Sequence, residues 1–202
     1  MAMDAKGYFH HLRNYLNTDF YGVPKFPGDE IELKEKIQVG SKKKEYKVTL
    51  KHEGELFAIK LDSLNQRGNQ DPLYHFLGNN GQPWTKRCDF IVFNLVGRKI
   101  FVYCLEFKSQ SLDTESIAGQ LQSAEKWCRA LLATIDIYVN KKCKFELTKL
   151  VVSECPEDRL GSYLEENGQF LARDPSVKHF LYKDIDGLAL GELNHAGTET
   201  VK

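Results

Sequence analysis

The sequence predicts an α/β protein whose central mixed β-sheet is flanked by helices. Two nearly continuous apolar runs, 88–96 and 99–107, are joined by Gly97-Arg98 and indicate adjacent antiparallel strands covered on both faces. The hydrophobic period becomes helical over 114–135, and 145–153 is a further apolar strand. This order of strand, strand, helix and strand is typical of a layered α/β domain.

The N-terminal part predicts one helix and one hairpin. Residues 4–17 have a short apolar face of helical period, and 45–51 and 55–61 alternate between polar and apolar residues. His52-Glu-Gly lies between the two alternating segments, which therefore predict a hairpin with one solvated face. The Asn-, Gln-, Gly- and Pro-rich stretch 62–87 predicts loops.

The C-terminal part predicts the helix over 114–135, capped by Asp113 or Thr114, and only weak elements after the strand at 145–153. Residues 156–174 have a weak helical pattern, and 179–184 is expected to be a last strand. We expect residues 1–193 to form a single domain with its core at about 85–155, and 194–202 to form a flexible tail.

Composition limits the function without defining it. The 202 residues include 42% apolar and 28% charged residues, with 28 basic and 28 acidic side chains. Since the net charge is zero, attraction to nucleic acid has to come from local patches. Five cysteines without a C-x-x-C pair favour reduced thiols over a disulfide framework or a zinc site. Without a signal-peptide pattern or an apolar run of about 20 residues, we expect a cytoplasmic protein with no membrane partner.

The tripeptide acid-x-Lys occurs four times, and context distinguishes one copy. The copies are Asp4-Ala-Lys6, Glu32-Leu-Lys34, Glu45-Tyr-Lys47 and Glu106-Phe-Lys108. The first three lie in polar or amphipathic segments and predict solvated surface charge, as does the run Lys42-Lys43-Lys44. Glu106 and Lys108 instead follow the uncharged run 100–105, and alternation places both on one face of that strand.

Asp89 complements this pair. It opens the preceding apolar strand, and the turn at 97–98 brings residues near 89 opposite residues near 106. Two carboxylates and an ammonium group therefore converge at one end of the sheet. This set suits Mg²⁺ or Mn²⁺, because a hard cation is held by one or two carboxylates together with water and substrate phosphate.

Asp89 followed by Leu105-Glu106-Phe107-Lys108-Ser109 resembles the PD-(D/E)XK, or restriction endonuclease-like, nuclease superfamily. The order of elements over about 85–155 is similar to that family too. The resemblance implies a restriction endonuclease-like sandwich in which Asp89 and Glu106 bind the metal and Lys108 assists the attacking water. The backbone carbonyl of Phe107 is implied as a further ligand.

Other features match less closely. Gln120 occupies the helix position at which several branches carry a glutamine, and it is expected to orient a neighbouring side chain. The family's N-terminal helix often supplies a glutamate, but here Glu30, Glu32 or Glu35 could replace it only if their segment is helical. No proline precedes Asp89 in Lys86-Arg87-Cys88-Asp89, where Lys86 and Arg87 are expected to contact a substrate backbone.

The expected function is that of a Mg²⁺- or Mn²⁺-dependent nuclease acting on DNA, as part of a defence, repair or recombination system. Because no specificity domain is evident, a homodimer or a partner subunit is expected to supply target choice. Three alternatives remain. The carboxylates could be a strand cap and an ion pair with Lys108 or Arg87. The chain could be a catalytically silent nucleic-acid-binding or scaffold subunit, or a small protein–protein adaptor.

Overall fold

The computed structural model describes residues 4–24, 28–62, 77–78 and 82–202. Within these ranges the strands form a two-stranded ribbon and a seven-stranded mixed sheet. The ribbon consists of β1 (Glu30–Val39) and β2 (Lys42–Lys51). The sheet contains, in chain order, β3 (Glu55–Lys60), β4 (Phe90–Val96), β5 (Lys99–Phe107), β6 (Phe145–Ser153), β7 (Phe170–Leu171), β8 (Asp174–Leu181) and β9 (Glu199–Val201).

The strand order in space is β3-β4-β5-β6-β8-β7, and β9 lies beside the first part of β6. β3, β4 and β5 are antiparallel, whereas β5, β6 and β8 are parallel. Parallel neighbours need a crossover connection, which α3 (Thr114–Val139) supplies between β5 and β6. The shorter helical segments are α1 (Ala5–Tyr15), α2 (Thr18–Tyr21), α4 (Glu157–Leu160) and α5 (Tyr182–Ile185), with 3₁₀ turns at Pro83–Thr85 and Leu190–Leu193.

The central strands are covered on both faces, as their continuous apolar runs predict. α1 and α3 cover one face with side chains such as Phe9 and Leu121, which belong to the same buried cluster as Phe93. The ribbon and the segment from α5 to the last 3₁₀ turn cover the other face, where Leu33 and Leu190 pack. The fold is therefore an α/β layered structure with a mixed, open sheet flanked by helices.

The predicted core hairpin and helix are confirmed. β4 and β5 pair with Phe90 opposite Leu105, and the turn uses Gly97 at a φ of 60°, a conformation that favours glycine. α3 starts at its predicted cap, where the Asp113 carboxylate accepts a hydrogen bond from the Ser116 N–H at 3.0 Å. It extends one turn beyond 135.

The predicted hairpin between 45–51 and 55–61 is wrong. β2 pairs with β1, and β3 pairs with β4 in the main sheet. The reason is burial: positions 56–59 of β3 are all buried, so this strand needs a sheet with two covered faces, whereas β2 has one wet face. The strand β1 was not predicted because its sequence is rich in charged residues, although its Ile31 and Leu33 are buried.

The C-terminal residues also differ from the prediction. Residues 194–202 are not a free tail, because β9 pairs with the first part of β6 and Val201 is fully buried. Glu199 lies 3.9 Å from the buried ammonium of Lys149, which is 3.1 Å from Glu125. The strand expected at 179–184 instead spans Asp174–Leu181 and is followed by α5.

The predicted loop over 62–87 lies largely outside the described residues, which include 62, 77–78 and 82–87 of this stretch. Among the helices of the described ranges, none combines the length and the apolar character that a membrane crossing requires.

Candidate active site

Asp89 lies immediately before β4 and is 8% exposed. Its Oδ2 accepts a hydrogen bond of 2.6 Å from the backbone N–H of Phe107, so the carboxylate lies against the last residue of β5. The antiparallel pairing of β4 and β5 thus brings Asp89 to Glu106 and Lys108, as predicted. The role of the Phe107 carbonyl as a ligand stays a prediction.

Glu106 and Lys108 lie on the face of β5 that α3 covers. Lys108 Nζ is 2.5 Å from Glu106 Oε1, and the Glu106 side chain is only 2% exposed. The second carboxylate oxygen, Glu106 Oε2, is buried and has no hydrogen-bond partner in the part of the chain that the structure describes. An unpaired buried carboxylate oxygen is costly, which makes this atom a candidate ligand for a cation.

Gln120 connects the lysine to the strand that carries Asp89. Its Oε1 accepts a hydrogen bond of 3.0 Å from Lys108 Nζ, and its Nε2 donates one of 3.0 Å to the backbone carbonyl of Arg87. The first contact fixes the lysine, and the second ties α3 to the residues before Asp89. Gln120 therefore contacts both Lys108 and the segment before Asp89, and its role in orienting a neighbouring side chain stays a prediction.

The structure brings two further carboxylates, those of Glu35 and Asp62, to the site, and the sequence alone did not predict this. Ligand oxygens of Glu35, Asp62 and Asp89 all lie within 4.8 Å of one another. Glu35 comes from β1, whereas Asp62 follows β3 and Asp89 precedes β4. Lys60 Nζ lies 2.5 Å from Glu35 Oε2 and 3.9 Å from Asp62 Oδ1.

The sequence pattern of β1 indicates that Glu35 lies on the buried face of its strand. Ile31, Leu33 and Ile37 alternate along β1 on the face that packs on the sheet, and Glu35 occupies an apolar position in that alternation. The segment that carries Glu35 is a strand, so the condition under which Glu35 could replace the family's helical glutamate is not met, although its carboxylate lies in the acidic cluster. Glu32 was expected to be solvated, yet its side chain is 4% exposed between Lys34 and Lys47.

Asp62 needs strand pairing to be recognised. Because Lys60 pairs with Phe90 and the Leu61 N–H donates to the Asp89 carbonyl at 3.3 Å, Asp62 follows a strand end that adjoins Asp89. No local spacing in the sequence connects Asp62 with Asp89. The prediction paired β3 with β2 instead of β4, so it did not bring Asp62 next to Asp89.

The electrostatics of the site favour a bound cation. Burial raises the pKa of Asp89, and the nearby Glu106 carboxylate raises it further. Burial also raises the pKa of Glu106 to about 7 despite the opposing charge of Lys108, and burial with Glu35 raises that of Asp62 to about 6. Like charges in a desolvated place disfavour ionisation, and a divalent cation relieves both costs.

Lys86 and Arg87 differ in their accessibility. Lys86 is exposed and its side chain lies across Gly119 of α3, where a Cβ would come within 2.7 Å of Nζ. Arg87 is 5% exposed and its Nη1 donates to the carbonyl of Leu61 at 2.9 Å. The guanidinium of Arg87 is enclosed beside Asp62, whose pKa it lowers, and the expected contact of Arg87 with a substrate backbone stays a prediction.

Tyr182 closes the site on the other face of the sheet. Its ring packs against Phe107 with centroids 5.4 Å apart and stacks on Tyr46 at 4.7 Å. The hydroxyl is buried and without a hydrogen-bond partner among the described residues. Burial and then the Asp89 carboxylate raise the pKa of Tyr182, so it remains a protonated donor.

The donor set fits a hard divalent cation. It consists of carboxylate oxygens, with no histidine or cysteine in the cluster, which suits Mg²⁺ or Mn²⁺ better than a softer metal. Compared with protein-family models, curated proteins and solved structures, the chain gives no match.

Proposed function

We propose that this protein is a divalent-metal-dependent phosphodiesterase that cleaves DNA and has a restriction endonuclease-like fold. The observation that carries the proposal is the convergence of Glu35, Asp62 and Asp89 within 4.8 Å, with buried Glu106 and partly buried Lys108 beside them. Three chain segments that are distant in sequence bring the first three carboxylates together. An ion pair that served stability alone does not require this excess of carboxylates.

The topology supports the finer fold assignment. Asp89 and Glu106 lie on antiparallel neighbours, and β5 continues through α3 into a parallel strand, β6. The resemblance of Asp89 with Glu106-Phe-Lys108 to the PD-(D/E)XK superfamily requires this order. The site lies at the end of β5, just before the crossover through α3 to β6.

In the proposed mechanism, Asp89, Glu106 and the Phe107 carbonyl would hold one Mg²⁺ or Mn²⁺, and Glu35 and Asp62 would complete the acidic cluster. When bound, such a cation would supply activation of water and stabilisation of negative charge on the scissile phosphate. Lys108, fixed by Gln120, orients the attacking water and offsets the charge that develops on the phosphate. Lys60 limits the repulsion between Glu35 and Asp62.

The direct test is cleavage of plasmid, linear and single-stranded DNA and of RNA in Mg²⁺, Mn²⁺ or EDTA. We expect cleavage of DNA that requires the metal, and a loss of about 100-fold or more in Glu106→Gln and Lys108→Met. Glu166→Gln and Lys6→Met serve as matched controls, because Glu166 is exposed and Lys6 belongs to a solvated acid-x-Lys. Metal-dependent cleavage that survives in both site variants would contradict the assignment.

One observation favours the alternative of a catalytically silent nucleic-acid-binding subunit. Lys60 pairs with Glu35 and Lys108 pairs with Glu106, so two of the acids have a cationic partner within the chain. Calorimetry with Mn²⁺ distinguishes the two proposals. Absence of both heat of binding and cleavage supports the silent subunit, whereas binding abolished by Asp89→Asn supports the phosphodiesterase.

A further inference from the structure

The β1–β2 ribbon continues past the site. Glu35, which contributes to the acidic cluster, pairs with Tyr46, and the ribbon runs on from this pair to its turn at Gly40. Five residues of extended chain span about 17 Å. The end of the ribbon, residues 36–45, therefore projects beyond the carboxylates as an arm.

The ribbon is anchored at the level of the site. Tyr46 donates a hydrogen bond of 3.0 Å to Glu154 and stacks on Tyr182 with ring centroids 4.7 Å apart. Lys44 Nζ lies 2.5 Å from the same Glu154 carboxylate. These contacts join β2 to the residue that follows β6, so the base of the arm has a fixed position relative to the carboxylates.

The arm carries a net positive charge. Residues 36–45 contain four lysines and one glutamate, although the whole chain has no net charge. Lys42 and Lys43 are exposed, and neither has an ion-pair partner within the described ranges. Their charge is therefore available to a ligand, in contrast to that of Lys44.

One face of the arm is directed toward the sheet side. Alternation places Ile37, Val39 and Lys42 on the same face as Glu35 and Tyr46. Ile37 and Val39 are partly buried against the core on that side. This face therefore packs on the protein, and Lys42 lies at its turn end, where it pairs with Val39.

We propose that residues 36–45 form an arm that binds the phosphate backbone of double-stranded DNA through Lys42 and Lys43; this rests on the proposed function. The acidic cluster by itself repels a phosphate backbone, so a substrate needs a basic element close by. Lys43 and Lys42 lie three and four residues beyond the Tyr46 level, or about 10–13 Å along the ribbon. They would hold phosphates adjacent to the one at the site.

The shape of the arm favours duplex DNA over the other nucleic acids. The exposed tip of the arm, residues 40–43, is narrow enough for the major groove of B-DNA, which is about 12 Å wide and admits a two-stranded β-ribbon, whereas the A-form major groove of RNA is too narrow. Binding of single strands relies on aromatic stacking, and residues 36–45 contain no aromatic side chain.

The test is fluorescence anisotropy of a labelled 30-base-pair duplex titrated with protein in EDTA, so that binding is measured without cleavage. We expect Lys42→Gln/Lys43→Gln to weaken binding about tenfold or more and to reduce the slope of log affinity against log salt by about 2, since each phosphate contact contributes about 0.9. The matched control is Lys142→Gln/Lys144→Gln. These exposed lysines flank the opposite end of β6, a nine-residue strand that spans about 30 Å.

Unchanged affinity in the arm variant, an equal loss in the control, or no duplex binding by the wild type would overturn the proposal. Tighter binding of single strands or RNA than of duplex would overturn the duplex assignment. Failure of the proposed function is separable, because it is measured as absence of Mn²⁺-dependent cleavage. An arm-dependent affinity without any cleavage supports the arm and contradicts the phosphodiesterase.

Discussion

At the scale of single residues, the site is defined by buried charges that do not balance. Lys60 and Lys108 each pair with one glutamate, and Asp89 accepts the Phe107 N–H. Four carboxylates nevertheless share the region with two ammonium groups and the enclosed guanidinium of Arg87. Desolvated carboxylates without full compensation are costly, and the cation that we propose for this site would supply the missing positive charge.

A buried histidine gives a prediction about acid stability. His179 on β8 is 7% exposed, and its Nε2 lies 2.8 Å from the hydroxyl of Ser153, which also accepts the Cys155 N–H at 3.1 Å. Burial lowers the pKa of His179 to about 4, although Asp184 opposes this effect. The folded protein therefore keeps His179 neutral at a pH at which the unfolded chain already binds a proton.

This difference in proton binding makes the protein less stable at acidic pH. Between about pH 6.5 and pH 4 the unfolded state binds more protons at this position, so the free energy of unfolding falls as the pH falls, by up to about 3 kcal/mol. We expect His179→Gln to lose less stability than the wild type when urea unfolding is compared at pH 7 and pH 5. Equal losses in the two proteins would contradict the prediction.

At the scale of elements, the local patterns were sufficient for the middle of the chain. The apolar runs of β4 and β5, the glycine turn at 97 and the helical period of α3 are each encoded within their own segments. Asp89, Glu106, Lys108 and Gln120 could be placed for the same reason. Their positions depend on one hairpin and the helix that follows it.

Pairing between distant segments was not predictable in this way. The alternation of β2 is compatible with either β1 or β3 as its partner, and only burial of both faces of β3 decides between them. Glu35 and Asp62 depend on that choice, so they were missed together. The same applies to β9, whose short sequence gives little signal before it pairs with β6.

The last strand gives a stability prediction. Val201 is fully buried, and β9 pairs with Phe145, Glu146 and Leu147 of β6. We expect removal of residues 199–202 to lower the free energy of unfolding by about 2 kcal/mol or more, the value of one buried valine with its strand pairing lost. Chemical denaturation measures this loss.

Removal of Lys202 alone is the matched control for this truncation, because Lys202 is exposed and follows the strand. We expect that shorter truncation to change the free energy of unfolding by less than about 0.5 kcal/mol. A longer truncation that leaves stability unchanged would mean that the pairing of β9 contributes nothing to the fold.

At the scale of the whole molecule, a net charge of zero conceals an uneven distribution. Acidic groups are concentrated inside the site, whereas exposed lysines extend from it along the ribbon. The two regions meet at the Glu35–Tyr46 pair, so the acids that would hold a metal and the lysines that would hold phosphate share one element. Without a bound cation, the crowding of these carboxylates lowers the free energy of unfolding.

The destabilisation can be measured by substitution of Asp62. Burial and then Glu35 raise its pKa to about 6, so above pH 6 the folded protein holds a carboxylate that is ionised at a cost. A raised pKa on an acid means that stability falls as the pH rises from about 4 through 6. At pH 8 in EDTA we therefore expect Asp62→Asn to raise the free energy of unfolding by about 1–3 kcal/mol.

Addition of Mn²⁺ should reduce the advantage in free energy of unfolding that Asp62→Asn has over the wild type. At 100 times the dissociation constant, the wild type gains about 2.7 kcal/mol from the bound ion, whereas Asp62→Asn gains less because the acidic cluster has lost one of its oxygen donors. Asp158→Asn, at an exposed position on α4, should follow the wild type in both conditions. A variant at Asp62 that is destabilised in EDTA, or that gains as much from Mn²⁺ as the wild type, would show that the carboxylates are held together for a reason other than a cation.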